Sequence, residues 1–169
     1  MQVLIVDDQA AFRRAAVRVL ARLPGFVVAG EAASGEASVE AARELQPDLV
    51  LMDIHLPGID GPEATRRILA EAEATGRPPV VFLLSTYEAA DYAPQTVACG
   101  AAGYLAKADF GPTTLRAAWA AAITTDLCDK IRNLGPPWLF ASSSPRTICW
   151  CARACDVCSR RAATPQSTW

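Results

Sequence analysis

Asp48-Leu49-Val50-Leu51-Met52-Asp53 is the stretch that decides the fold. Leu49 to Met52 is continuously apolar, as a central strand covered on both faces requires, and it runs directly into an acid. The same arrangement recurs along the chain. Val3-Leu4-Ile5-Val6 runs into Asp7-Asp8, Val80-Val81-Phe82-Leu83-Leu84 into Ser85, and Gly103-Tyr104-Leu105-Ala106 into Lys107. In an open parallel sheet the strand C-termini share one edge, and ligand sites form there. Carboxylates, a hydroxyl and an ammonium are therefore expected in one crevice, a set suited to accepting a phosphoryl group.

Between these runs the apolar residues follow a helical period, so the pattern is that of an α/β fold with a parallel sheet. Phe12, Ala16, Val19, Leu20 and Leu23 predict a first helix ended by Pro24-Gly25, with Arg14, Arg18 and Arg22 on another face. Phe26 to Ala29 reads as the second strand. Gly35 to Leu45 reads as a helix capped by Ser34. After the third strand, Asp48 to Met52, comes a loop from His55 to Gly61. Pro62 suits the first position of a third helix that turns Ile68 and Leu69 inward and Arg66 and Arg67 outward. The fourth strand is Val80 to Leu84. A fourth helix (α4) is expected over roughly 88–99, a fifth strand (β5) over Gly103–Ala106, and a fifth helix (α5) from Pro112. Leu115, Trp119, Ala122 and Ile123 share one face of α5.

The pattern fails beyond Thr125. Through that residue there are 15 acids and 10 bases; afterwards there are 3 acids and 6 bases. Cysteine divides the same way, with Cys99 before the boundary and Cys128, Cys149, Cys151, Cys155 and Cys158 after it. Residues 1–125 are thus expected to form one domain, and 126–169 an irregular tail without a fold of its own. Cys149 to Cys158 contains one C-x-x-C pair, but the other pair is separated by a single residue, which does not suit a zinc ribbon. The tail resembles a coding sequence read in another frame, or a decayed domain. The acidic first part argues against that part gripping nucleic acid, so no direct DNA binding is expected of this chain. No apolar run approaches the roughly 18 residues of a membrane span. No secretory signal opens the chain, so a cytoplasmic location is expected.

The carboxylates dictate the chemistry. Held close together they repel, and an oxygen-only set of this kind suits Mg²⁺. One carboxylate then acts as nucleophile toward a phosphoryl group, and Asp53, on the central strand, is best placed for it. Lys107 offers a point charge for a phosphate oxygen, and the Ser85 hydroxyl a hydrogen bond; Thr86, next to it, is the alternative. Rival readings are an aspartyl-nucleophile phosphohydrolase, a flavin-binding protein and a non-catalytic interaction module whose acidic site is vestigial and not phosphorylated. Asp7-Asp8 lacks the Asp-x-Asp spacing of the first, and stands where the second needs a hydroxyl-rich loop.

Four pieces carry a family resemblance: Leu4-Ile5-Val6-Asp7-Asp8, Asp48 to Asp53, Leu56-Pro57-Gly58-Ile59-Asp60-Gly61 and Gly103 to Lys107. With them the chain resembles the receiver domain of bacterial two-component response regulators, in the subgroup usually fused to a C-terminal helix-turn-helix. That output domain is not recognisable here. The resemblance implies a flavodoxin-like, doubly wound, three-layer fold with strand order 2-1-3-4-5. It implies that Asp53 takes a phosphoryl group from a sensor histidine kinase. Asp8 and Asp53 would ligate Mg²⁺ directly, Asp7 through water, and His55 through its main-chain carbonyl. Lys107 would bind the phosphate, while Ser85 and Tyr104 would form the switch. The α4-β5-α5 face would then dimerise or bind a partner, and helix one would dock the kinase. No turnover beyond self-phosphorylation and self-dephosphorylation is implied. One departure is Ala108, where many receivers carry a cis proline.

Overall fold

A computed structural model describes residues 1–73, 76–86 and 98–133. The apolar runs form β1 (Gln2–Val6), β2 (Val27–Ala32), β3 (Leu49–Asp53), β4 (Val80–Ser85) and β5 (Gly103–Ala106). They pair in the order β2-β1-β3-β4-β5, and every pairing is parallel. The helices are α1 (Ala10–Leu20), α2 (Gly35–Leu45), α3 (Gly61–Glu73) and α5 (Pro112–Asn133). Most of the stretch expected to form α4 lies outside the described residues. The chain divides into two compact units, Met1–Ala122 and Ile123–Trp169, and the sheet belongs to the first. The cysteine cluster at 149–158 and the linker-like serines at 142–144 also lie outside the described residues.

Strand alternation sorts the core into two layers. Leu4, Val6, Val50, Met52, Val81 and Leu83 face one side, where they bury Ala42 of α2 and Ala64 and Ile68 of α3. Val3, Ile5, Leu49, Leu51, Phe82 and Leu84 face the other side, against Ala16 and Leu20 of α1 and Leu115 of α5. β1 and β3 therefore have no wet face, which is why their sequences do not alternate. Each fully buried leucine contributes about 1.5–3 kcal/mol.

Local chemistry sets the element ends. The Ser34 hydroxyl accepts the Ala37 N–H at 3.2 Å, capping α2 as expected, and Gln46 closes that helix in the left-handed region with φ 45°. Asp60 caps α3 by accepting the Glu63 N–H at 2.8 Å. The helix therefore opens at Gly61, one residue before the expected Pro62. The second strand runs to Ala32 rather than stopping at Ala29. Pairing with β1, through an irregularity beside Val3 and Leu4, carries Gly30 and Glu31 into the sheet despite their poor strand preference. α1 stops at Leu20, and Leu23 is buried beyond its end.

Asp48 ties the opposite edge together. Its carboxylate accepts the Gln2 N–H at 2.8 Å and pairs with Arg77, joining the starts of β1, β3 and β4. The Gln2 hydrogen bond is the largest influence on its carboxyl; burial opposes it, Arg77 adds to it, and the carboxyl is held below the ordinary value. A depressed carboxyl contributes stability above its unfolded pKa, which is lost as pH falls through the folded one. Asp48→Asn is therefore expected to lower the melting temperature at neutral pH. The deficit should shrink as pH falls below about 4, the unfolded value. Melting curves across that range check it; a deficit independent of pH would contradict it.

Candidate functional site

The order of the sheet reverses between β1 and β3, and the site lies at the C-terminal ends of these two strands. Val6 stands opposite Met52, so Asp7 and Asp53 follow side by side. Alternation aims both toward the α1 and α5 layer, because Asp7 continues the Val3, Ile5 row and Asp53 the Leu49, Leu51 row. Lys107 continues the row of Leu105 from β5. Three strand ends thus deliver two acids and a base to one point.

The contacts follow. Lys107 Nζ lies 2.7 Å from Asp7 Oδ2 and 3.0 Å from Asp53 Oδ2. Asp7 has no exposed surface, Asp53 is 3 % exposed, and Asp8 is exposed at the rim. One carboxylate oxygen from each of Asp7, Asp8 and Asp53 lies within 4.8 Å of the others. Asp7 Oδ1 accepts the Gln9 N–H at 2.9 Å. Asp7 Oδ2 is buried and accepts no hydrogen bond of proper angle, although the ammonium is in ion-pair range. A buried anionic oxygen so poorly satisfied, in an all-oxygen cluster open at Asp8, fits a hard divalent cation. Asp7, Asp8 and Asp53 are the side chains that could hold such an ion, and Mg²⁺ fits this donor set.

Burial is the largest influence on Asp53 and pushes its carboxyl up; Lys107 opposes this, and the Asp7 charge adds to it. The His55 N–H also bonds to the Asp53 carboxylate, while the imidazole itself belongs to an exposed residue. For Lys107 burial is again the largest single influence, and it lowers the ammonium. Its pairing with the Asp7 and Asp53 carboxylates outweighs it, so the ammonium ends above its ordinary value. Lys107 is therefore charged at neutral pH. Its seat is partly aromatic: Nζ stands 4.9 Å from the centre of the Phe12 ring, which packs at 5.5 Å against Phe110.

The loop after β3 is pinned from two sides. Gly58 has φ +78°, and the Glu36 carboxylate on α2 accepts the neighbouring Ile59 N–H at 3.0 Å. Gly61 passes so close to the end of β3 that a Cβ there would lie 2.0 Å from the Asp53 carbonyl oxygen. The Gly61 N–H in turn donates to the Ile54 carbonyl at 3.0 Å. The Leu56–Gly61 motif is thus a backbone fit to the strand that carries Asp53.

Ser85 lies buried at the end of β4, one residue past Leu84, which stands opposite Asp53; Thr86 is exposed. Tyr104 is half-buried on β5, opposite Leu83, and packs on the core layer of α2 and α3. Trp119 packs edge-on against Phe26 at 6.2 Å. Arg14 and Arg18 are exposed on α1, and Arg22 is exposed just beyond its end. Two residues that sequence reasoning passed over, Arg13 and Glu36, also shape the site, and Phe12, read only as a core residue, takes a second role in it. Arg13 donates to the main-chain carbonyls of Asp7 and Asp8, Phe12 seats Lys107, and Glu36 holds the loop.

A parallel sheet of this order with an acidic cluster and a paired lysine at its switch point defines a receiver domain. Residues 3–120 match the response regulator receiver domain family, and the chain belongs to it. Among characterised relatives it is 42% identical over 108 residues to the response regulator GacA of Pseudomonas viridiflava, covering 63% of this chain and 48% of that one. The transcriptional regulatory protein DegU of Brevibacillus brevis is 37% identical over 107 residues, 63% of this chain and 44% of DegU. The chain thus matches about half the length of these regulators. A LuxR-family two-component response regulator from Aurantimonas superposes with a TM-score of 0.64 at 31% identity, covering 73% of this chain and 85% of that one. The response regulator domain of Thermotoga maritima CheB gives 0.57 at 33%, covering 80% and 98%. The chain is a two-component signalling receiver. No helix among the described residues is long and apolar enough to cross a membrane.

Proposed function

We propose that this chain is a phosphoacceptor whose nucleophile is Asp53, supplied by a sensor histidine kinase and active with Mg²⁺ bound. The observation that carries this is the contact of one ammonium with two buried carboxylates at the sheet's switch point. An Asp53 carboxylate oxygen attacks the phosphorus of the donor's phosphohistidine. The new O–P bond forms as the P–N bond breaks, and the electron pair returns to the imidazole. Bound Mg²⁺ would neutralise carboxylate and phosphoryl charge, with Asp7, Asp8, Asp53 and the His55 carbonyl holding it. Lys107 is free to trade one of its two carboxylates for a phosphoryl oxygen, because it is charged and already at the site.

Ser85 would follow the phosphoryl group, and Tyr104 would turn into the space it leaves, biasing the α4-β5-α5 face. That face would act by dimerising or by binding a partner protein. The exposed arginines of α1 would dock the kinase. We assign residues 1–125 to the receiver, working in the cytoplasm and turning over no external substrate. DNA binding is not assigned to these residues.

Incubation with acetyl phosphate and Mg²⁺, followed by intact-mass measurement, tests this. One phosphoryl group is expected on the chain, with none without Mg²⁺ and none on Asp53→Asn. An unchanged mass for the wild-type chain would overturn the reading and favour an unphosphorylated interaction module.

A further inference from the structure

We propose that Arg13 is a positioning residue for the metal site, a main-chain clamp that sets where the Asp7 and Asp8 carboxylates stand. The inference rests on the Mg²⁺ reading above. Arg13 lies in the first turn of α1, and its guanidinium is joined to three oxygens of two other segments. Nη1 donates to the Asp7 carbonyl at 2.8 Å and to the Asp8 carbonyl at 3.3 Å, while Nε donates to Glu31 Oε2 at 3.0 Å. Glu31 belongs to β2, so the clamp fastens the acidic turn to both the helix after it and the strand beside it.

The need for such a clamp follows from the cluster itself. Asp8 is exposed, so packing does not fix its carboxylate, and its own main chain must do so. The Asp7-Asp8 turn carries two like charges beside a third on Asp53, and repulsion favours splaying the turn outward. A cation held against the two carbonyls opposes that movement without occupying the carboxylates. Only a fork with several donors in fixed geometry reaches two carbonyls and a carboxylate together; an ammonium is a single point. The arginine therefore does for this acidic turn what outer groups commonly do for metal ligands, fixing their orientation.

Thermal melts of the full chain across a Mg²⁺ titration give both the metal-free melting temperature and the Mg²⁺ concentration at half-maximal stabilisation. Arg13→Gln is expected to move that midpoint up by about tenfold, and Arg13→Lys nearly as far. Arg14→Gln, which removes an exposed charge from the next position, should stay within about twofold of the wild-type chain. An Arg13→Gln midpoint within about twofold of wild type would overturn the proposal. So would an equal shift in Arg14→Gln, because net charge alone would then explain the effect. Should Arg13→Gln fail to fold, Glu31→Ala decides: it removes only the far anchor and should shift the midpoint by roughly threefold, and no shift overturns the clamp. A wild-type chain that does not respond to Mg²⁺ would remove the metal reading together with the clamp. A responsive wild type with unchanged variants removes the clamp alone.

Discussion

Lys107→Ala is expected to destabilise the metal-free chain by about 3 kcal/mol or more, the usual cost of removing one partner from a buried ion pair. Asp7 is fully buried and Asp53 nearly so, and among the described residues Lys107 is the cation paired with either. Without it, two carboxylates face each other where water is scarce. Asp53, whose carboxyl burial already pushes up, relieves the strain by taking a proton, which caps the loss. The variant should also depend more on Mg²⁺ than the wild type does. An ion binding only the folded form returns about 2.7 kcal/mol at a hundred times its dissociation constant. Melts with and without Mg²⁺ test both parts. A loss under about 1 kcal/mol, or one that Mg²⁺ does not reduce, would mean that the ammonium does not neutralise this pair.

Gly61→Ala is expected to cost about 3 kcal/mol, at the upper end for overpacking, although it adds a single methyl group. The new Cβ would meet the Asp53 carbonyl oxygen at 2.0 Å and the Ile54 Cα at 3.0 Å, both main-chain atoms of β3 and its exit. No side chain can swing away to relieve this, so the strand end or the loop must shift. The shift falls on the residue proposed to accept the phosphoryl group. The melting temperature should drop by roughly 10 °C for a domain of this size. Gly25→Ala is the comparison: its φ is +87° but its Cβ would meet nothing within 4 Å. That change should cost only about 1 kcal/mol of backbone strain. Equal losses in the two variants would contradict the close approach at Gly61.

These cases show why the site was legible in part. The fold could be read because β1 and β3 are buried on both faces, and only uninterrupted apolar residues satisfy that. The acids could be read because a charge directly after such a strand has nowhere to lie but the sheet edge. Gly61 was legible as a motif, yet its reason, contact with the Asp53 carbonyl, depends on how a loop folds back over a strand. Arg13 was not legible. Its partners are two carbonyls, which carry no sequence signal, and Glu31, eighteen positions away on a strand whose end was placed too early. Arg14, Arg18 and Arg22 drew attention by their spacing, but the arginine that grips the site stands just before them. Phe12 was read as a core residue of α1; it is one, and its ring also seats the Lys107 ammonium.

The claim on which the rest depends is that Asp53 itself carries the phosphoryl group. Borohydride reduction after treatment with acetyl phosphate and Mg²⁺ converts an acyl phosphate on aspartate to homoserine, and peptide mapping locates it. The account predicts homoserine at position 53 and nowhere else. Homoserine at Asp7, Asp8 or Asp60 with Asp53 unmodified would contradict it.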